Sequence, residues 1–378
     1  MAGIYIHIPF CRKACTYCNF HFSTSLKGKD ELLQALQLEL EARSSFLEGG
    51  EISTIYLGGG TPSLLSASEL NRLFDTIFRN YRIGQLEECT LEANPDDLDK
   101  HYIRELADTP VNRLSIGVQS FFDRDLQYMK RAHDARQSEY AIKAAQDKGF
   151  TNISIDLIYG TPGLTDKDWQ HNLQLVQDMS IPHLSAYALT VEEGTELHHS
   201  IRKKKVLPLD QEQAAAQFEL LMETAPAMGL EHYEISNLAR PGMYARHNTN
   251  YWKGVPYLGI GPSAHSYHHN RRSYNIPNNA LYTREALAGK LTQEEEILSP
   301  VQQLNEYLMT ALRTQWGASL EYIDDTWGSN TAAAVKTDSH PFIEKGWLTV
   351  EKNILLLTNA GKLFADHIAA ELFRDELY

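Results

Sequence analysis

Along the first 230 residues, short apolar runs alternate with longer stretches whose apolar positions recur every three to four residues. The short runs are Gly3–Ile8, Thr54–Leu57, Cys89–Ala93, Arg113–Val118, Asn152–Ile158 and Leu184–Leu189. The helix-period stretches are Lys29–Leu47, Ser66–Tyr81, Asp99–Ala107, Gln137–Gly149, Asp166–Met179 and Gln211–Met228. Ser66-Ala-Ser-Glu69 has the form of a capping box, and Gly149 that of a helix stop. Repeated strand-helix units with apolar strands predict a parallel sheet covered by helices. Six such units predict an α/β fold, a partial (β/α)6 TIM-like barrel, rather than a small doubly wound sheet.

Polar and glycine-rich residues gather where the strands end. His7-Ile-Pro-Phe-Cys11 follows the first run and Gly58-Gly-Gly-Thr-Pro62 the second. Glu92-Ala-Asn-Pro95 closes the third, Gln119-Ser120 the fourth and Tyr159-Gly-Thr-Pro162 the fifth, in which Asp156 lies; Tyr187 lies in the sixth. Gly-Thr-Pro and Asn-Pro are also ordinary turn chemistry. Six strands sending polar groups to one rim, however, is the layout of a barrel active site.

The pattern changes after Gly229. Residues 231–298 are rich in Asn, His, Tyr, Gly and Pro with little periodicity, and read as an irregular extension of a barrel spanning residues 1–230. Residues 299–378 read as a compact α+β unit. It has a helix at Pro300–Thr314, helical stretches near Leu320–Thr326 and Asn330–Ser339, a hairpin turning at Lys352-Asn353 and a final helix Asn359–Phe373. Helices followed by a hairpin resemble a winged helix. Residues 301–378 hold 6 Lys and Arg against 11 Asp and Glu, however, so a lid or packing domain fits better than a nucleic-acid binder.

Composition narrows the class. With 43% hydrophobic and 22% charged residues the chain can build a sizeable core. A net charge of −14 disfavours nucleic acid and anionic membrane surfaces as partners. The N-terminus lacks a basic n-region, and no segment reaches 18 apolar residues, so the expected location is the cytoplasm.

Four cysteines are too few for a secreted disulfide framework. Three of them, Cys11, Cys15 and Cys18, share one loop at the expected barrel rim. Three thiolates can hold three irons of a cluster and leave the fourth open to a small molecule. A zinc site completed by His21 is the competing reading. Cys89, inside a strand, reads as a buried inert thiol.

The Cys-x3-Cys-x2-Cys spacing with Tyr17 before the last cysteine resembles the radical S-adenosylmethionine (SAM) superfamily. The likeness extends to its coproporphyrinogen-dehydrogenase-like branch through Tyr5-x-His7-Ile-Pro-Phe-Cys11, Gly58-Gly-Gly-Thr-Pro62, Glu92-Ala-Asn-Pro95, Ser115-x-Gly-Val-Gln119, Arg131-x-His133, Asp156-Leu-Ile-Tyr-Gly160 and Gly259-Ile-Gly-Pro-Ser-Ala-His265. The resemblance implies a [4Fe-4S] cluster on Cys11, Cys15 and Cys18, with SAM on its open iron. It implies SAM contacts from Tyr5, Tyr17, Gly59, Gly60, Thr61, Glu92, Gln119, Arg131, Asp156, Ala188 and His265. One or two SAM molecules are compatible with that set. Gly259-x-Gly261-x-x-Ala264 matches a dinucleotide fingerprint in letters only, since Pro262 interrupts it and neither a clear strand before it nor a helix after it is expected.

Two departures point away from coproporphyrinogen decarboxylation. Phe20 stands where that branch carries a fourth cysteine, and the cluster loop begins too early for the branch's N-terminal extension. His247-Asn248-Thr249-Asn250-Tyr251-Trp252 is similar to the His-Asn-x-x-Tyr-Trp motif of HemW-type heme chaperones. This resemblance implies heme bound through His247, Tyr251 and Trp252, with delivery to heme-accepting respiratory-chain proteins. It also implies a reducing partner for the cluster and a location at most peripheral to the inner membrane. A neutral imidazole can ligate heme iron, and Tyr and Trp offer flat apolar surface. The same residues could instead pin the 231–290 region, and His198, His199, His265, His268 and His269 compete as ligands. A homodimer is one assembly the sequence admits. The alternative function is a radical SAM enzyme acting on a porphyrinogen or another small molecule.

Overall fold

The computed structural model describes residues 1–377. Six strands follow one another in space in chain order and run parallel: β1 (Ala2–Ile8), β2 (Ile52–Gly59), β3 (Ile83–Ala93), β4 (Arg113–Gln119), β5 (Ile153–Tyr159) and β6 (His183–Ala188). Helices join them, including Lys29–Ala42, Ala67–Asn80, Ala135–Lys148 and Asp166–Asp178. The Ser66–Glu69 capping box forms as expected, and Gly149 ends its helix at φ 103°. The arc of strands is the expected partial (β/α)6 barrel.

Each strand has two chemically different faces. Ile4, Ile6, Ile55, Leu57, Leu91, Leu114, Ile116, Ile155 and Leu184 are fully buried and pack with helix residues such as Leu36, Leu73, Ile142 and Leu173. The opposite face carries Thr54, Tyr56, Glu88, Thr90, Glu92, Arg113, Ser115, Asp156 and Ser185. The register sets Thr54 beside Glu88, Thr90 beside Arg113, Glu92 beside Ser115 and Asp156 beside Ser185. The strands are therefore not uniformly apolar, as the sequence pattern suggested. They alternate, with the aliphatic side under the helices and the polar side lining the barrel.

Residues 231–298 are more ordered than expected. The strands β7 (Glu231–Glu234) and β8 (Asn237–Ala239) extend the sheet antiparallel beyond β6. At the other edge β9 (Tyr257–Ile260) pairs parallel with β1, and β10 (His265–His268), β11 (Arg271–Asn275) and β12 (Gln293–Ile297) continue outward, giving a single 12-stranded sheet. These strands of three to five residues are too short to show a periodicity. The Gly259 segment thus does sit on a strand, β9, but leads into β10 and not into a helix. Between β8 and β9 the helix Arg246–Trp252 packs against β2 and β3.

The C-terminal part has its own core, including Leu308, Leu312, Ile323, Val335, Leu355 and Ile368. Its helices span Pro300–Leu312, Leu320–Trp327 and Ser329–Glu344, the last continuing through Pro341 past the expected end. The expected hairpin pairs Leu348–Glu351 with Ile354–Leu357, and Lys352 and Asn353 both take the positive φ of a type I′ turn. The expected last helix is broken into Asn359–Lys362 and Ala365–Glu371. This domain docks on the barrel edge through Arg313, whose Nε lies 3.3 Å from Glu234 and whose Nη1 lies 2.6 Å from Asp366. No helix among the described residues is long and apolar enough to cross a membrane.

Candidate functional site

The C-terminal ends of the six barrel strands surround one cavity of about 630 Å³. Cys11, Cys15, Tyr17 and Cys18 reach it from the loop after β1, and Gly59, Gly60 and Thr61 from the end of β2. Glu92, Gln119, Asp156 and Ala188 reach it from β3 to β6, and Arg131 from the segment after β4. These residues lie far apart in sequence and share only a strand-end position. Gln119 takes φ 68°, a left-handed turn that ends β4 at the rim.

Local packing holds the cysteine loop against the barrel. The His7 ring links the Tyr5 hydroxyl, 3.1 Å from Nδ1, with the His21 carbonyl, 2.9 Å from Nε2. Burial drives the His7 pKa down to about 4, so it is neutral there. Gly59 must be glycine: a Cβ at its φ of 103° would come within 2.4 Å of the His7 ring. At Gly60 a Cβ would stand 2.7 Å from the backbone oxygens of Ile8 and Phe10. This close approach lets the glycine backbone lie directly beside the cysteine loop.

The thiols lie among donors. Thr61 Oγ1 donates to Cys11 Sγ at 3.4 Å, and Arg131 Nη1 to Cys15 Sγ at 3.3 Å. Arg131 is fixed by Nη2 bonds to Asn94 Oδ1 (2.6 Å) and the Gly117 carbonyl (2.9 Å). Burial raises the free Cys11 thiol to about 11, a cost that a bound cation removes by drawing off the proton. His21 turns away from the thiols, with Nε2 2.6 Å from Asn279 Oδ1, which removes the fourth ligand of the zinc reading. Three thiols at a cavity wall, beside cationic and hydroxyl donors, fit the protein ligands of a [4Fe-4S] cluster, which would keep one iron free for a small molecule.

Two buried carboxylates define the cavity's electrostatics. Glu92 accepts from the Tyr56 hydroxyl at 2.7 Å and from the Gly59 amide at 3.1 Å, yet burial raises its pKa to about 7, with the Asp156 charge adding to the rise. Burial likewise raises Asp156 to about 6, against the bonds from Ser185 and Ser115 and the charge of Arg113. A cationic ligand would draw both into the ionised state, which suits the ammonium and sulfonium of SAM.

The remaining candidates lie elsewhere. Tyr5 stands beneath the rim, its ring 6.1 Å from Tyr56. His265 is exposed and stacks on Tyr274 outside the cavity. His247 is 1% exposed, with Nδ1 2.9 Å from Thr54 Oγ1 and Nε2 2.7 Å from the Tyr251 hydroxyl, and its ring stacks on Tyr56 at 5.2 Å. Burial and the charge of Arg113 lower its pKa to about 3. Its helix is seated by Glu88, which accepts from the backbone amides of Arg246 (2.7 Å) and His247 (3.0 Å). Trp252 lies under the Arg313 guanidinium at 5.7 Å, toward the C-terminal domain. Of this motif, Asn248 is the residue that reaches the cavity.

Sequence reasoning missed Tyr56, Arg113 and Ser185, and gave no contact to Asn94 and Ser115 although both stood in quoted motifs; all five line the cavity. The signal was available in the polar residues alternating with aliphatics inside the strands. Arg113 is the most unusual of them: it is 1% exposed, and Nε and Nη1 have no hydrogen-bond partner.

Fold and cavity together define a radical SAM protein: a partial barrel with three cysteines in the loop after its first strand and a polar cavity over them. Residues 5–176 match the Radical SAM superfamily, and residues 298–364 the HemN C-terminal domain. The chain is 33% identical to the heme chaperone HemW of Bacillus subtilis, over 97% of this chain and 98% of that one. It is 32% identical to the HemW of Escherichia coli, over 99% and 98%. The chain belongs to the HemW family of radical SAM proteins. The solved structure of coproporphyrinogen III oxidase (HemN) from Escherichia coli shares the fold, with a TM-score of 0.84 at 22% identity over 98% of this chain and 90% of that one. The family's cofactors are a [4Fe-4S] cluster and SAM, and the thiols and buried carboxylates above fit both.

Proposed function

We propose that this protein is a heme chaperone on a radical SAM scaffold, which binds heme and passes it to respiratory-chain acceptor proteins. The observation that carries this reading is the end-to-end similarity to heme chaperones of the HemW family. The cavity mouth supports it. Phe20 (66% exposed) and Tyr187 (42%) present apolar surface there, and Arg12, held by Asp97 at 2.8 Å, and Lys13, held by the Arg131 carbonyl at 3.2 Å, line the same cavity with charge to share with a carboxylate. Phe20 occupies the place where a fourth cysteine would serve decarboxylation.

Cys11, Cys15 and Cys18 would hold the cluster, which supplies an electron for cleaving SAM when both are bound. Arg131 and Thr61 would steady the sulfurs. Glu92 and Asp156 would hold the cationic groups of SAM, and the Gly59–Thr61 backbone would border it. The role of the His247 helix is to floor this cavity; direct heme ligation through His247 Nε2 requires its bond to Tyr251 to break, while Thr54 can keep Nδ1. The work takes place in the cytoplasm, reaching the inner membrane through its acceptors, and a separate reductant serves the cluster.

The test is a heme titration of cluster-loaded protein, with coproporphyrinogen and SAM assayed in parallel. Saturable one-to-one heme binding without decarboxylation supports the chaperone. Rapid decarboxylation without heme binding supports the enzyme.

A further inference from the structure

Where the β10–β11 turn meets the loop after the first helix, the fold assembles a second set of metal-ligating side chains. Glu48, His268 and His269 place one ligand atom each within 4.8 Å of one another. They come from two segments more than 200 residues apart in sequence. Glu48 lies in the loop after the helix Lys29–Ala42, and the histidines lie at the β10–β11 turn.

Buried anchors hold the two segments together. Arg43, 7% exposed, donates from Nη1 to the Gly259 carbonyl at 2.9 Å and from Nη2 to Ser266 Oγ at 3.1 Å and Ser273 Oγ at 3.3 Å. The same guanidinium covers the Phe46 ring at 4.5 Å, and Phe46 packs on the His268 ring at 5.9 Å. One side chain thus fixes the strands that carry the histidines and the loop that carries Glu48. His269 takes φ 57° in the turn, where glycine is the ordinary choice, and this brings the two imidazoles to 4.2 Å between ring centroids. Glu48 also takes a left-handed φ, 49°, with Leu47 buried beneath it.

We propose that Glu48, His268 and His269 form a binding site for a divalent transition-metal ion, separate from the cysteine-lined cavity. Two imidazoles and one carboxylate select zinc, copper or nickel over magnesium and calcium, which take oxygen ligands. Glu48 and His269 are solvent-exposed, so the outer side of the ion stays open to water or to a ligand from another molecule. The site does not depend on the heme reading.

The test uses full-length, tag-free, cluster-loaded protein, so that the three thiols are engaged. Calorimetry with Zn²⁺ alone is expected to show one site that the His268→Gln/His269→Gly double variant, lacking two of the three ligands, weakens by more than the roughly 10–100-fold lost with an outer-shell partner. Glu48→Gln weakens it less. Cu²⁺ bound at this site shows nitrogen hyperfine structure in its electron paramagnetic resonance spectrum, which the double variant loses. His269→Gly alone suits the left-handed turn, so its effect is read without a folding defect, and cluster iron stays at the wild-type level in every variant. Zn²⁺ affinity unchanged in both histidine variants, or a nitrogen signature that survives the double variant, overturns the proposal.

Discussion

The Tyr56 hydroxyl donates a 2.7 Å hydrogen bond to Glu92 in the cavity. On its other side the Tyr56 ring stacks on His247 at 5.2 Å. One tyrosine therefore ties the floor helix to the carboxylate expected to hold SAM.

SAM binding is predicted to depend on pH through Glu92 and Asp156. Their pKa values in the free protein are raised to about 7 and about 6, so both hold protons at pH 5 and release them by pH 8. A cationic ligand must displace those protons at low pH, so SAM affinity rises from pH 5.5 to pH 8. Glu92→Gln lowers affinity at pH 8 by about 10–100-fold, the worth of a charged hydrogen bond, and flattens the profile. Equilibrium binding across pH checks this.

The same shift predicts a stability effect of opposite sign. A carboxyl whose folded pKa lies above its unfolded value stabilises the fold below the unfolded pKa and loses that contribution as pH rises through the folded value. The ligand-free protein is therefore expected to lose stability between pH 5 and pH 8. Glu92→Gln recovers part of it at pH 8 and changes little at pH 5, as thermal melts at the two pH values would show.

His247→Ala removes a buried ring with two hydrogen-bonded nitrogens and a stacking partner, and is predicted to cost about 2 kcal/mol of stability. Heme binding discriminates between roles. If His247 is the iron ligand, its pKa of about 3 means that heme affinity stays flat between pH 6 and pH 8. Tyr251→Phe, which frees Nε2, then speeds heme uptake. An exposed histidine ligand instead loses heme as pH falls through the ordinary histidine range near 6.5. Absorption titrations and stopped-flow mixing separate the two.

Cys15→Ser is predicted to abolish the brown colour of anaerobically reconstituted protein together with its iron and sulfide. The fold should survive, since the side chain is half-buried at a cavity wall. Full iron and sulfide in this variant would contradict the assignment.

Much of this was legible in the sequence because barrels concentrate chemistry at strand ends. The cysteine loop, the Gly58-Gly59-Gly60-Thr61 turn, Glu92, Gln119 and Asp156 could be placed on one rim from order along the chain. What stayed hidden needed cross-strand register. Tyr56 is an unremarkable aromatic in a strand until Glu92 on the next strand brings a carboxylate to its hydroxyl. Arg113 looks like a strand-start charge until its register partner Thr90 proves to share the polar face of the barrel. The His247 motif was conspicuous, but not that Thr54 and Tyr251 would occupy both its nitrogens. Residues 231–298 read as irregular because short edge strands carry no periodic signal, although they lengthen the sheet on both sides.

The central claim, heme delivery, is tested most directly by transfer. Heme-loaded, cluster-containing protein is mixed with membranes holding a heme-free respiratory cytochrome, and the appearance of the cytochrome's own spectrum is followed. The account predicts transfer faster than from free heme at equal concentration, and slower transfer from the Cys15→Ser variant. A cytochrome that gains heme no faster from this protein than from solution, under conditions where the protein is saturated with heme, would contradict it.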